Sequence, residues 1–119
     1  MEYEQSIRVR GFSPSDEDEI IDLLRLGFDS WPRFDLICEP REHWRWKFID
    51  NPLKTTLIFV AESEDKIVGC YHMVPIRIKI CENILIWRLI ADVVVHPEYR
   101  KAGIYRKMWE YASDEARAM

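Results

Sequence analysis

Apolar and charged residues alternate through Ile7-Arg8-Val9-Arg10, the period of a half-buried strand. Gly11 and Ser13-Pro14-Ser15 end it. Ser13 suits a helix cap and Pro14 the first helical position, which puts Asp16, Glu17 and Asp18 at the positive end of the helix. Ile20, Leu23, Leu24, Gly27 and Phe28 follow at spacings of three and four and form one apolar face. No period holds from Asp29 to Glu39, which reads as a loop. A second helix is predicted from Pro40 to Ile49 with Trp44 and Phe48 on one side. Asn51-Pro52 stops it, because the proline ring disfavours helical backbone in the residue before it.

The period then changes to two. Leu57 to Ala61 reads as a strand, Ser63-Glu64-Asp65-Lys66 as a turn, and Ile67 opens a second strand. Ile76, Ile78 and Ile80 alternate with Arg77 and Lys79, so one face there is wet. Pro75 has no N–H for a ladder and predicts a bulge or a sheet edge. After a turn at Cys81-Glu82-Asn83, Ile84 to Val95 forms the longest strand, wholly apolar from Ala91 to Val95 except for Asp92. The last helix runs from Ile104 to Met119, with Ile104, Met108, Tyr111, Ala112 and Glu115 on one side. Turns this short join antiparallel neighbours, so a doubly wound dinucleotide-binding sheet, which needs crossover helices, is disfavoured. The order strand, helix, helix, three strands, helix predicts an α+β fold, a two-layer αβ sandwich on a mainly antiparallel sheet.

Composition narrows the setting. A chain of 119 residues that is 48% hydrophobic, with five Trp, holds one packed domain and is not disordered. A net charge of −4 gives no electrostatic footing for nucleic acid or an anionic membrane. Met1-Glu2-Tyr3-Glu4 carries no basic region ahead of an apolar stretch, and no apolar run approaches the roughly 20 residues of a membrane span, so a cytoplasmic protein is expected. Cys38, Cys70 and Cys81 match no metal spacing, so no metal is expected. Cys70 and Cys81 are expected as buried free thiols.

The chemistry concentrates in Ala91-Asp92-Val93-Val94-Val95-His96-Pro97-Glu98-Tyr99-Arg100-Lys101-Ala102-Gly103-Ile104-Tyr105. This is a buried strand, a basic loop with a glycine, and a helix start. Unpaired N–H groups at such a helix start, together with the helix dipole, make an anion site suited to a pyrophosphate. Arg100 and Lys101 add positive charge, and Gly103 removes a side chain at the closest backbone approach. The same features also fit an ordinary solvated loop. Asp92 has two readings as well: a carboxylate whose pKa burial raises, fit for a general base, or one that caps a turn or faces solvent. His72 reads as a satisfied core residue and His96 as part of a His-Pro turn. Trp31, Arg33, Phe34 and Asp35 fit a packed surface loop.

The stretch resembles the acyl-CoA signature of GNAT acetyltransferases, Arg/Gln-x-x-Gly-x-Gly/Ala after an apolar strand and a His/Asn-Pro-x-Tyr turn. His96-Pro97-Glu98-Tyr99, Arg100 and Gly103 match, while Tyr105 stands where that family takes a small residue. Lys66-Ile67-Val68-Gly69 and Trp44-x-Trp46-Lys47-Phe48-x-x-Asn51-Pro52 also look like patterns of that superfamily. The resemblance implies a GNAT-like fold and direct transfer of an acetyl group from acetyl-CoA to a primary amine of a small molecule or peptide. Val93 and Val95 would offer backbone groups to the pantetheine and thioester, and Arg100, Lys101, Ala102, Gly103, Ile104 and Tyr105 would hold the pyrophosphate. Trp31, Arg33, Phe34 and Asp35 would stand in the loop where members of that family bind the acceptor, as the alternative to a packed surface loop. A complete domain of that family continues with another strand, a helix and a strand pair. Residues 1–119 are therefore expected to be a single, C-terminally incomplete domain, inactive alone, with an open sheet edge that invites a homodimer. A non-catalytic CoA-binding or protein-interaction module on the same half-fold is the alternative.

Overall fold

The period-two segments pair with their neighbours in sequence, as short turns require. In the computed structural model, which describes residues 6–28, 30–32 and 36–118, β1 (Ile7–Gly11), β2 (Leu57–Ser63), β3 (Lys66–Ile80) and β4 (Asn83–Val95) form one antiparallel sheet in that order. A 3₁₀ turn at Pro14–Asp16 leads into α1 (Glu17–Gly27). The segment expected as one second helix is α2 (Pro40–Trp44) running directly into a π-helical turn at Arg45–Ile49. A final helix, α3, covers Ile104–Arg117.

Alternation along the strands divides the core between two sheet faces. Ile58, Val60, Cys70 and Val94 pack against Ile20, Leu23 and Leu24 of α1 and against Trp44 and Phe48. On the other face Phe59, Ala61, Val68 and Tyr71 pack against Ile104, Met108 and Ala112 of α3. Burying each such aliphatic side chain contributes roughly 1.5–3 kcal/mol, so both helical stripes are needed to cover the sheet. Gly69 lets α3 settle: a Cβ there would stand 3.1 Å from both Ile104 Cγ2 and Met108 Sδ.

Ion pairs fix where α1 enters. Arg10 of β1 donates through Nη1 and Nη2 to both carboxylate oxygens of Asp16, at 2.8 and 3.0 Å, and Nε donates to Glu62 at 3.3 Å. The backbone N–H of Ser13 also donates to Asp16, at 2.8 Å. The Arg10 guanidinium holds the Asp16 carboxyl below the usual carboxylate range, although burial opposes it. Arg41 and Arg45 bind Asp18 and Glu17, tying α2 to the first turn of α1.

Beyond the Leu57↔Met73 pair β3 has no β2 partner, and β3 and β4 continue as a two-stranded ribbon. Pro75 lies there, paired regularly with Arg88, so it marks an edge on the β2 side and not a bulge. The register shifts lie elsewhere, one between Ala61 and Glu62 where β2 pairs with β3 and one at Asp92 in β4. The pairs Val74↔Leu89, Ile76↔Trp87 and Ile78↔Leu85 make one ribbon face wholly apolar, and Trp87 and Leu89 remain more than half exposed. Cys70 is buried as expected, but Cys81 is exposed, because it sits in the solvent-side turn that joins the ribbon's two strands.

The approach of α1 to the sheet leaves no room at Gly27: a Cβ there would lie 2.3 Å from Val94 Cγ2. Val94 is buried and β-branched, so it has little freedom to yield. Gly27→Ala is expected to lower stability by about 1–3 kcal/mol, as overpacking does, despite the better helix propensity of alanine. Urea unfolding of the two proteins checks this, and a variant of equal or greater stability would show that α1 does not press on β4.

Candidate functional site

The site grows from one extra residue in β4. Val94 pairs with Cys70 and Ala91 with His72, so Asp92 and Val93 together face Tyr71 alone. Asp92 takes a left-handed backbone, φ 49°, a conformation that Asp tolerates better than most residues. A residue in that conformation turns its carbonyl out of the ladder, and a buried carbonyl needs another donor. His72 supplies it: Nδ1 lies 3.2 Å from the Asp92 oxygen, and Nε2 accepts the indole N–H of Trp44 at 3.1 Å. These two partners assign the hydrogen to Nδ1. The imidazole stacks on Phe48 with ring centroids 3.9 Å apart and is fully buried. Burial pushes its pKa down to about 4, so it is neutral, and His72 is the satisfied core residue its strand position predicts.

Of the two readings of Asp92, the carboxylate takes the one directed out of the core. Oδ2 accepts Lys47 Nζ at 2.7 Å, and both side chains keep some solvent contact. The bulge turns this side chain out of the core to meet a cation from the π-helical turn. Lys47 was the residue missed from sequence. Trp44, Lys47 and Phe48 stand at i, i+3 and i+4, and all three serve the bulge, so that spacing was the available signal. The ring of His43 lies 5.3 Å from Trp31 and 5.8 Å from Trp46. Its pKa is lowered first by burial and then by Lys47, while Asp92 works the other way. Leu36, Ile37, Cys38, Glu42, His43 and Trp46 line an open groove of about 410 Å³ on this side. Arg33, Phe34 and Asp35 lie outside the described residues.

After Val95 the chain turns through a 3₁₀ turn, Pro97–Tyr99, capped by His96, whose Nδ1 accepts the N–H of Glu98 at 3.1 Å. His96 is thus part of the turn, as predicted. Arg100 folds back: Nε donates to the Val95 carbonyl at 3.3 Å and Nη2 to the Gly27 carbonyl at 3.2 Å. It therefore clamps the negative end of α1 to the end of β4, and the Val95 carbonyl is already engaged. Lys101 and Gly103 both have left-handed backbones, φ 73° and 76°, and Ala102 is buried between them. A Cβ on Gly103 would meet no protein atom within 4 Å. Glycine is thus favoured there by the backbone conformation, and the space beside it is open. The first backbone bond of α3 runs from Lys107 N to Gly103 O at 3.1 Å, which leaves the N–H groups of Ile104, Tyr105 and Arg106 outside the helical ladder. Ile104 is buried, whereas Lys101 and Tyr105 are exposed at the mouth of this turn.

Comparison with known proteins identifies the family of the chain and matches its fold. A family model described as an acetyltransferase (GNAT) domain matches residues 8–119. A GNAT family acetyltransferase from Brucella melitensis, solved with acetyl-CoA, has 21% identity and a TM-score of 0.72 over 94% of this chain and 69% of its own. Glucosamine-6-phosphate N-acetyltransferase from Arabidopsis thaliana has 21% identity and a TM-score of 0.65 over 95% of this chain and 76% of its own. A probable N-acyltransferase from Enterococcus faecalis has 21% identity and a TM-score of 0.73 over 94% of this chain, which spans only 27% of that protein. No curated protein matches the chain in sequence.

The buried neutral imidazole has a consequence for stability. The folded His72 takes up a proton only near pH 4, whereas an unfolded histidine does so near 6.5. Its contribution is therefore complete above about pH 6.5 and falls by up to about 1.4 kcal/mol per pH unit on acidification toward 4. Urea unfolding at about pH 7 and about pH 5 is expected to give a steeper loss for wild type than for His72→Phe. Equal losses would mean that His72 does not titrate in this way.

Proposed function

Because the chain belongs to the GNAT acetyltransferase domain family, we propose that it binds acetyl-CoA and transfers the acetyl group directly to a primary amine. The observation that carries this reading is the bulged end of β4 leading through the left-handed Lys101 and Gly103 into the free N-terminus of α3. Backbone N–H groups of Ile104 and Tyr105, in the loop turn begun by Arg100, Lys101, Ala102 and Gly103, receive the pyrophosphate. Lys101 supplies exposed charge, and Arg100 contributes by holding the loop to α1 and β4. Backbone groups of Val93, and of Val95 apart from its engaged carbonyl, face the pantetheine and thioester.

In the reaction the amine lone pair attacks the thioester carbonyl carbon, the C–S bond breaks, CoA leaves as thiolate, and the proton that the new amide nitrogen gives up passes to the thiolate directly or through water. The acceptor reaches the nucleophilic state by losing an ammonium proton, and Asp92 is the helper for that step, directly or through water. Its ion pair with Lys47 holds the carboxylate at the rim of the site. Most of the rate enhancement comes from positioning and from polarising the thioester carbonyl, so no protein nucleophile and no metal are part of this reading. Small-molecule or peptide amines are the acceptors, and the groove beside Trp46 and His43 is on the side they approach. The protein works in the cytoplasm. Calorimetric titration with acetyl-CoA tests the loop: Gly103→Glu, which adds bulk and negative charge at the pyrophosphate, is expected to weaken binding at least about tenfold. Unchanged affinity would overturn the assignment.

One observation favours a second property, association. β4 has a neighbour only on its β3 side among the described residues, and Ile84, Trp87, Leu89 and Ile90 are exposed along it. An apolar strand with an open edge pairs readily with another chain. We place a homodimer on this edge, and we read the chain of residues 1–119 as inactive alone; a purely CoA-binding or protein-interaction module is the reading left if turnover is absent in every assembly. Light scattering across a concentration series is expected to show dimers or larger species, with no acetyl-CoA turnover. A stable monomer that turns over acetyl-CoA would refute both statements.

A further inference from the structure

The bulge at Asp92 decides which way the rest of β4 faces. Ala91 and Val94 are three residues apart, yet both pack on the α1 side of the sheet, beside His72 and Cys70 respectively. Strand side chains alternate with a period of two, so this is possible only because the bulge inserts one residue between them. Without it, Val93 and Val95 would exchange faces with Val94, and the loop that follows would leave Val95 in a different direction. The bulge in turn depends on its displaced carbonyl. Among the described residues, the donor given to that carbonyl is Nδ1 of His72, and the imidazole is gripped from its far side by the Trp44 indole and beneath by Phe48.

We propose that His72 is a positioning residue for acetyl transfer: its imidazole, oriented by Trp44, holds the β4 bulge in the form that presents Val93 and the Arg100–Gly103 loop to acetyl-CoA. This rests on the acetyl-CoA reading above and adds the part of the core that sets the geometry of that site. His72 touches neither the thioester nor the acceptor. It acts through the Asp92 carbonyl, whereas Lys47 acts on the same residue through its carboxylate. Trp44, Lys47 and Phe48, which make these contacts, come from one helical segment.

NMR couplings of isotope-labelled chain read the bulge without any ligand, and calorimetry reads acetyl-CoA. In wild type the Asp92 couplings are those of a left-handed residue, and the imidazole nitrogen shifts are those of a ring protonated on Nδ1. His72→Phe keeps a ring against Phe48 but removes both hydrogen bonds. It is expected to lose the left-handed couplings at Asp92 and to weaken acetyl-CoA at least about tenfold. His72→Gln, whose amide can donate to Asp92 and accept from Trp44, is expected to stay within about threefold of wild type, and it serves if the Phe variant does not fold. Ile20→Val, a core truncation in α1, is expected to leave both readouts unchanged. Left-handed couplings retained in His72→Phe, or an equal loss of acetyl-CoA in Ile20→Val, would overturn the proposal. A wild-type chain that ignores acetyl-CoA would remove the function and this role together, and intact Asp92 couplings would separate that case from a failed bulge.

Discussion

A buried carbonyl that leaves its ladder must be given another donor, and in this protein the Asp92 carbonyl imposes that demand on the whole α1 side of the sheet. Meeting it takes a neutral imidazole from β3, an indole from α2 to orient that imidazole, and a phenyl ring beneath it. The bulge it supports returns Val94 to the core, where Gly27 allows α1 to lie directly against it. Arg100 then bridges the end of α1 and the end of β4, so the loop that starts α3 is referenced to both elements. Sheet register, helix placement and loop direction are thus consequences of one another.

The division of labour between backbone and side chains follows from this arrangement. The positive end of α3 and the left-handed turn before it present N–H groups without any catalytic side chain. Side chains near the bulge instead set position and charge. Arg100 is spent on backbone carbonyls, Lys47 on Asp92, and His72 on the bulge. These contacts are all made within the protein itself, which is what the proposed transfer between two bound partners requires. Tyr105, where the family takes a small residue, is exposed and lies 6.3 Å from the Tyr71 ring, so the larger side chain is accommodated outside the helix start.

The far ribbon of β3 and β4 obeys a different logic. Its strands are long enough to outrun β1 and β2, so Leu85, Trp87 and Leu89 on its apolar face are exposed, while Val74 at its base is buried in the core. Neither propensity nor pairing is at fault there. The exposed edge is the place where added protein surface would contribute most to stability.

Much of this was legible in the chain. The change of period at Leu57 located the strands, the short turns made them antiparallel, and the spacing of Ile20, Leu23 and Leu24 located the buried face of α1. The loop from His96 to Gly103 was readable because His-Pro turns, basic residues and a glycine at a helix start have local causes. Local causes also placed His72 in the core and His96 in its turn. The bulge was not legible, since strict alternation through Val93 and Val95 gives no sign of an added residue, and Pro75, which offered a bulge or an edge, marks the edge. Nor were the partners of Asp92 and Arg100, which lie 45 and 73 positions away. Periodicity, capping and turn chemistry depend on neighbours in sequence, so the sequence by itself determined the elements, their order and the helix start. Which carbonyl is left to be satisfied, and which distant side chain reaches it, depends on how packed layers meet, and only the tertiary structure decided that.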